Sequence, residues 1–403
     1  MPVFLSFTAI LLLAVFLLNR PMDWRKNEAF LIKNSILERT GKILLQISRT
    51  VKEANAYEEK FSKPEIIKGV YLTGWSASSQ SKINYVYDLV KSSGINAVVI
   101  DIKDYSGYVS YDVDDYTVPK VKEYGAKKIK IYDIDNLIRD FHDHGIYTIA
   151  RIAVFQDPVL AHAREDLAVY NKYHSRGKWD FSFLLSNISI WLDNMKLAWI
   201  DPASEEAWDY NISIAKDALS RGFDEINFDY VRFPSDGNLS NMGFPKWDGM
   251  TEKHLVIRDF FQRVRESLPD AVLSVDLFGL ATVNYDDLGI GQMIEDAYEY
   301  FDYVCPMVYP SHYANGFIGY GNPAEHPYEV VKYSIDKGLL RLESFNKENV
   351  YLRPWLQDFN LGAVYNMDMV KAQIQAVKDS LKDGYKGFML WNPSNIYTES
   401  AIF

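Results

Sequence analysis

Eight short apolar runs recur from Gly69 to the end of the chain, and each is followed by roughly enough residues for a helix. They are GVYLTGW (69–75), NAVVIDIKD (96–104), YTIARIAVF (147–155), DEINFDYVRF (224–233), AVLSVDLFG (271–279), YVCPMVYP (303–310), VYLRPWLQD (350–358) and GFMLWNPS (387–394). Each has strand length and strand composition. The intervening segments carry helical periodicity. In EEAWDYNISIAKDAL, Trp208, Ile212, Ala215 and Leu219 fall on one face, and Ser204 stands at the N-cap position. MVKAQIQAVKDSL (369–381) follows the same pattern. Eight strands alternating with helices predict an α/β chain closed into a (β/α)8 TIM barrel. The alternative, an open doubly wound sheet, usually carries a glycine-rich phosphate turn after its first strand, and TGWSASS lacks the G-x-G-x-x-G pattern.

Within a barrel strand, side chains alternate between the covering helices and the barrel axis. Ile226 and Phe228 share one parity, and Asn227 and Asp229 the other. Leu273 and Val275 oppose Ser274 and Asp276. Val98, Ile100 and Ile102 oppose Val99, Asp101 and Lys103. Arg353, Trp355 and Gln357 share one side of the seventh run, and Met389 and Trp391 one side of the eighth. The polar inward residues come late on their strands, toward the C-terminal face where barrel enzymes assemble their sites. The expected mouth therefore gathers Asp229, Asp276, Asp101, Lys103, Arg151, Arg232, Tyr309, Trp355, Gln357 and Trp391.

A carboxylate pair on neighbouring strands, set among aromatic and hydrogen-bonding side chains, suits cleavage of a glycosidic bond. One carboxylate attacks or steadies the oxocarbenium-like centre while the other protonates the leaving oxygen. Asp229 is the expected nucleophile and Asp276 the expected acid/base, with the remaining eight residues binding substrate. Arg232 or Arg151 would keep Asp229 ionised by proximity. Adjacent strands favour the short carboxylate spacing of retaining enzymes.

The segment WIDPASEEAWDYNISIAKDALSRGFDEINFDYVRFPSDG (199–237), with VVIDIKDYSG, ARIAVFQDP, PMVYPSHY and GFMLWNPS, resembles a family described as a "putative glycosyl hydrolase" barrel domain of bacterial envelope proteins. The resemblance spans roughly residues 67–400, and FDYVRFP is its most specific part. It implies a (β/α)8 fold and action on a polysaccharide. More distantly, the layout is similar to α-amylase-like and exopolysaccharide-cleaving barrels. Their fourth-strand aspartate nucleophile and fifth-strand acid would correspond to Asp229 and Asp276. The fifth-strand acid there is commonly glutamate, so the shorter Asp276 leaves Asp101 or Asp358 as alternative donors. GFDEINFDYV also begins like the chitinase fourth-strand motif, but Val231 stands where that motif has its catalytic glutamate. Substrate-assisted hydrolysis of that kind is not expected.

Other chemistries find little support. A net charge of −11 argues against a nucleic-acid partner. A single cysteine, Cys305, excludes an intramolecular disulfide and cysteine-rich metal sites. No metal or cofactor motif is present, and neither is expected. Aromatic residues make up 15% of the chain, enough to line a sugar cleft.

VFLSFTAILLLAVFLL (3–18) has the length of a signal-peptide core or a short signal anchor, and the missing small-x-small cleavage site favours a retained anchor. The expected division is a signal or anchor at 1–20, a helical stalk at 21–66 and the barrel at 67–403. This predicts an extracytoplasmic protein, membrane-anchored or secreted, that acts on an envelope or extracellular polysaccharide. The rival expectation is a non-catalytic carbohydrate-binding or envelope scaffold barrel.

Overall fold

Each of the eight apolar runs forms a parallel strand. The computed structural model describes residues 63–172 and 189–402. The expected apolar segment and stalk lie outside the described residues, except for 63–66. Among the described residues, no helix is long and apolar enough to cross a membrane.

The barrel strands are β1 (Ile67–Leu72), β2 (Ala97–Lys103), β3 (Tyr147–Ala153), β4 (Glu225–Asp229), β5 (Leu273–Phe278), β6 (Tyr303–Val308), β7 in two pieces (Tyr351–Leu352 and Trp355–Gln357) and β8 (Gly387–Trp391). Neighbours in sequence are neighbours in the sheet, and β1 pairs with both β2 and β8, which closes the barrel. Closure brings β8 against β1 at the Ile67–Gly387 pair. Gly387 has φ +105°, and a Cβ there would overlap the Ile67 carbonyl, so only glycine fits this seam.

Helices α1 (Gln80–Ser93), α2 (Ile134–Asp143), α3 (Glu205–Ser220), α4 (Lys253–Ser267), α5 (Ile294–Tyr300), α6 (Pro327–Phe345) and α7 (Met367–Leu381) follow β1 to β7 in turn. Helix α3 shows why they form. The Ser204 hydroxyl accepts from the Ala207 amide, satisfying one orphan donor of the first turn. Glu205 and Glu206 complement the positive end of the helix dipole. Trp208, Ile212 and Ala215 are then buried against the barrel.

The predicted alternation holds for most of each strand. Outward Val98, Ile100, Ile226, Phe228, Leu273 and Val275 join the apolar layer beneath the helices. The inward side chains form a separate, polar interior. At its floor Glu225 and Arg353, both fully buried, make an ion pair across the barrel from β4 to β7. The Tyr147 hydroxyl also donates to Glu225 (3.2 Å), and the Arg353 guanidinium lies 4.0 Å from the centre of the Tyr303 ring.

Removing one partner of this pair strands the other charge without solvent. Glu225→Ala is expected to cost about 3–5 kcal/mol in denaturant unfolding, whereas replacing Glu225 and Arg353 together with methionine should cost far less. Equal losses in the two variants would refute this account of the barrel floor.

Candidate active site

Phe228 of β4 pairs with Val275 of β5, and one residue further along stand Asp229 and Asp276. They therefore sit side by side at the strand spacing of about 4.8 Å, at the C-terminal ends of two adjacent strands and with the same inward parity. Between them and Asp101 lies Arg151, projecting from β3 into the axis. Its Nη1 donates to Asp101 (2.5 Å), its Nη2 to Asp229 and its Nε to Asp276 (3.4 Å). One guanidinium thus engages three carboxylates from three strands, and its Nε–Nη2 edge is shared between the two expected catalytic residues.

The surroundings make those two carboxylates unlike each other. Asp229 accepts from the Arg151 guanidinium and from the Tyr230 amide (2.5 Å). Both partners are donors, which suits an acceptor-only carboxylate. Asp276 is 1% exposed. Burial, and then the neighbouring charge of Asp229, push its pKa up to about 7. Its Oδ1 accepts from the Trp355 indole (2.7 Å) and the Asn227 amide (2.9 Å), which fix its orientation. The site therefore holds, beside Asp229, a carboxyl whose pKa is raised to about 7.

The chain changes direction directly after Asp229. Tyr230 takes the left-handed conformation (φ +54°), a departure worth about 1–2 kcal/mol for a side chain of this size. Asp229 and Arg232, three residues apart, both line the same cleft as a result, while Val231 between them is buried in the apolar layer.

That cleft has a volume of about 350 Å³. Of the residues expected at the mouth, Asp229, Asp276, Arg151, Arg232, Tyr309, Trp355 and Trp391 line it. Asp101 lies behind Arg151, held by that residue and by the Tyr71 hydroxyl (2.5 Å). Trp391 stacks on Tyr309 at 5.8 Å and meets Phe359 edge-on at 5.1 Å, giving one wall of the cleft an aromatic surface.

Two expected residues are elsewhere. A bulge in β2 sets Asp101 opposite Arg151 and Lys103 opposite Ile152, so the extra residue, Ile102, reverses the alternation. Lys103 consequently faces the helical side, where it pairs with Asp157 (2.8 Å) and lies 5.9 Å from the centre of the Tyr210 ring on α3. Gln357 is fully buried; it accepts from the Ser311 amide (3.2 Å) and donates to the Phe359 carbonyl (3.0 Å), bracing two loops. Asp358, the alternative donor, is spent on Thr398, accepting from its hydroxyl (2.7 Å) and its amide (2.8 Å). The task of pairing with Asp229 falls to Arg151; Arg232 forms no ion pair among the described residues.

The cleft also contains Phe278, Met307 and His312, which the sequence reading passed over. Period-2 alternation continued two residues past Asp276 reaches Phe278, and two past Cys305 reaches Met307. His312 lies in a turn, where no periodicity exists to place it.

Arg151→Met would leave Asp101, Asp229 and Asp276 without their shared cation. A stability loss of about 3–5 kcal/mol is expected at pH 8. The carboxyls would then have folded pKa values well above their unfolded ones, so the folded state binds more protons and stability recovers as pH falls from 8 to 5.5. Denaturant unfolding at the two pH values measures this; a pH-independent loss would show that the guanidinium is merely packing.

Among solved structures, the chain is similar to a hypothetical protein from Ruminiclostridium thermocellum (39% identity, 55% of this chain and 98% of that one, TM-score 0.44). It is also similar to an α-galactosidase from Thermus thermophilus (13% identity, 83% of this chain and 59% of that one, TM-score 0.47). A third is the glycoside hydrolase domain of PelA from Pseudomonas aeruginosa (12% identity, 83% of this chain and 97% of that one, TM-score 0.41). Nothing among the curated proteins matches. A family model described as "Putative glycosyl hydrolase domain" matches residues 69–397, which include every strand from Gly69 on and the whole cleft. The chain belongs to this putative glycosyl hydrolase family.

Proposed function

We propose that the barrel is a retaining glycoside hydrolase with Asp229 as nucleophile and Asp276 as general acid/base. The observation that carries this reading is the shared edge of Arg151. Two carboxyl groups that share Nε and Nη2 of one guanidinium support the short separation of a retaining pair over the wider one that accommodates an inverting enzyme's water. Asp229 attacks the anomeric carbon and forms a glycosyl ester while the Asp276 carboxyl protonates the departing oxygen. Asp276, now ionised, then takes a proton from water, which attacks the ester and releases Asp229. Arg151 stabilises whichever carboxylate bears the charge at each stage. Trp355 and Asn227 keep Asp276 aimed, and the Tyr309–Trp391 wall offers an apolar face to the C–H surface of a sugar ring.

The membership and the barrel support a carbohydrate substrate, and we place the protein outside the cytoplasm on the strength of the apolar run at 3–18. An envelope or extracellular polysaccharide is the substrate that fits this location.

Turnover of a panel of bacterial polysaccharides and nitrophenyl glycosides, with the anomer of the first product read by NMR, tests the mechanism. Retention is expected, and Asp276→Asn should reduce kcat about 10²–10⁴-fold on substrates with poor leaving groups. Asp229→Asn should abolish turnover while leaving binding intact. Inversion would remove Asp229 as nucleophile. Binding without turnover by the unaltered protein would favour a carbohydrate-binding barrel instead.

The acid form of Asp276 is the active one in the first step. Activity should therefore fall as pH rises through about 7, the value to which burial raises its carboxyl. A basic limb unchanged in Asp276→Glu or lying far above neutrality would assign the proton to another group.

A further inference from the structure

Arg232 is an anomaly that hydrolysis of a neutral sugar leaves unexplained. It is 7% exposed and lines the catalytic cleft, yet no carboxylate among the described residues lies within ion-pair distance of it. A buried charge is ordinarily paired, and an unpaired one is costly. Its guanidinium lies 4.7 Å from the centre of the Trp199 ring and 4.8 Å from that of Phe278. These stacking contacts hold the plane but satisfy no N–H. In the plane, Nη1 alone is engaged, donating to the Phe233 carbonyl (3.2 Å) and the Ser235 hydroxyl (3.0 Å). The Nε–Nη2 edge has no partner among the described residues. That edge presents two parallel N–H donors, the arrangement that fits a planar carboxylate bidentately.

Building on the glycosidase reading, we propose that Arg232 makes the cleft specific for a carboxylate-bearing sugar unit, which docks its acid group on the free Nε–Nη2 edge beside the scissile bond. The rest of the cleft tolerates that charge. Asp229, three residues before it, is paired with Arg151, and burial raises the pKa of Asp276 to about 7. Arg151, by contrast, already has three carboxyl partners, on β2, β4 and β5. Burial pulls the pKa of Arg232 below the usual arginine value, against the opposing pull of Tyr230, Asp229, Asp236 and Asp193. A ligand carboxylate would supply the missing counter-charge. The chain's net charge of −11 disfavours non-specific capture of polyanions, so retention of one would report the site.

Affinity electrophoresis of the full chain in gels containing polygalacturonate, alginate or hyaluronan, set against neutral galactan and glucan and against dextran sulfate, tests the proposal. The Asp229→Asn background prevents turnover during the run. Retardation by at least one carboxylated polymer is expected, with affinity about ten-fold or more weaker when Arg232→Gln is added and no comparable change on neutral polymers. Arg232→Lys keeps the charge without the fork and should fall between the two; if Arg232→Gln does not fold, as judged by its melting curve, the lysine variant decides. Preference for neutral polymers, preference for the sulfated one, retention of none, or carboxylate affinity unmoved by the Arg232 variants would each overturn the proposal. Hydrolysis of a neutral glycan by the unaltered protein would sink this inference and leave the glycosidase reading standing. Arg232-dependent binding of a carboxylated polymer without turnover would do the reverse.

Discussion

The interior of a closed barrel has no solvent, so any polar side chain directed into it must find its partners among the other strands. Arg151 is where this requirement is met. Its guanidinium reaches carboxylates on β2, β4 and β5, and without it three negative charges would converge on a dry axis. The same interaction that makes the upper interior foldable sets the geometry of the site. It holds Asp229 and Asp276 on one edge of a rigid plane, and no loop has to position either of them.

The electrostatics follow from that arrangement. Asp276 sits deeper, with neutral donors from Trp355 and Asn227 and only a long contact to Arg151, so burial dominates and its carboxyl keeps a proton near neutrality. Asp229 sits at the turn, with the guanidinium and a backbone amide as donors. Two chemically identical side chains on adjacent strands are thereby given different surroundings, the condition for dividing acid and base roles between them. The barrel floor repeats the logic with a single pair, Glu225 and Arg353, whose role is structural because it lies far below the mouth. Arg232, by contrast, has no ion-pair partner among the described residues, and its open edge belongs to a residue of the cleft.

Much of this was legible before any coordinates. Period-2 alternation assigned Asp229, Asp276 and Asp101 to the axis, because a regular strand leaves no other choice of face. It failed at Lys103, where one inserted residue reverses every side chain beyond it, and bulges carry no reliable sequence mark. Gln357 follows the alternation yet serves the loops, since a long amide can reach backbone groups that a pattern cannot foresee. His312 and the edge of Arg232 depend on turns, where periodicity has no meaning.

What the sequence alone determined was the architecture and the inward aspartates Asp101, Asp229 and Asp276: strand-length apolar runs at helical intervals admit few topologies, and parity along a strand follows from backbone geometry. Which carboxylate shares a guanidinium with which, which one keeps its proton, and which arginine is left unpaired were decided only by the closed tertiary structure. Those properties arise between side chains dozens to more than a hundred residues apart, through distances and desolvation that no local pattern encodes.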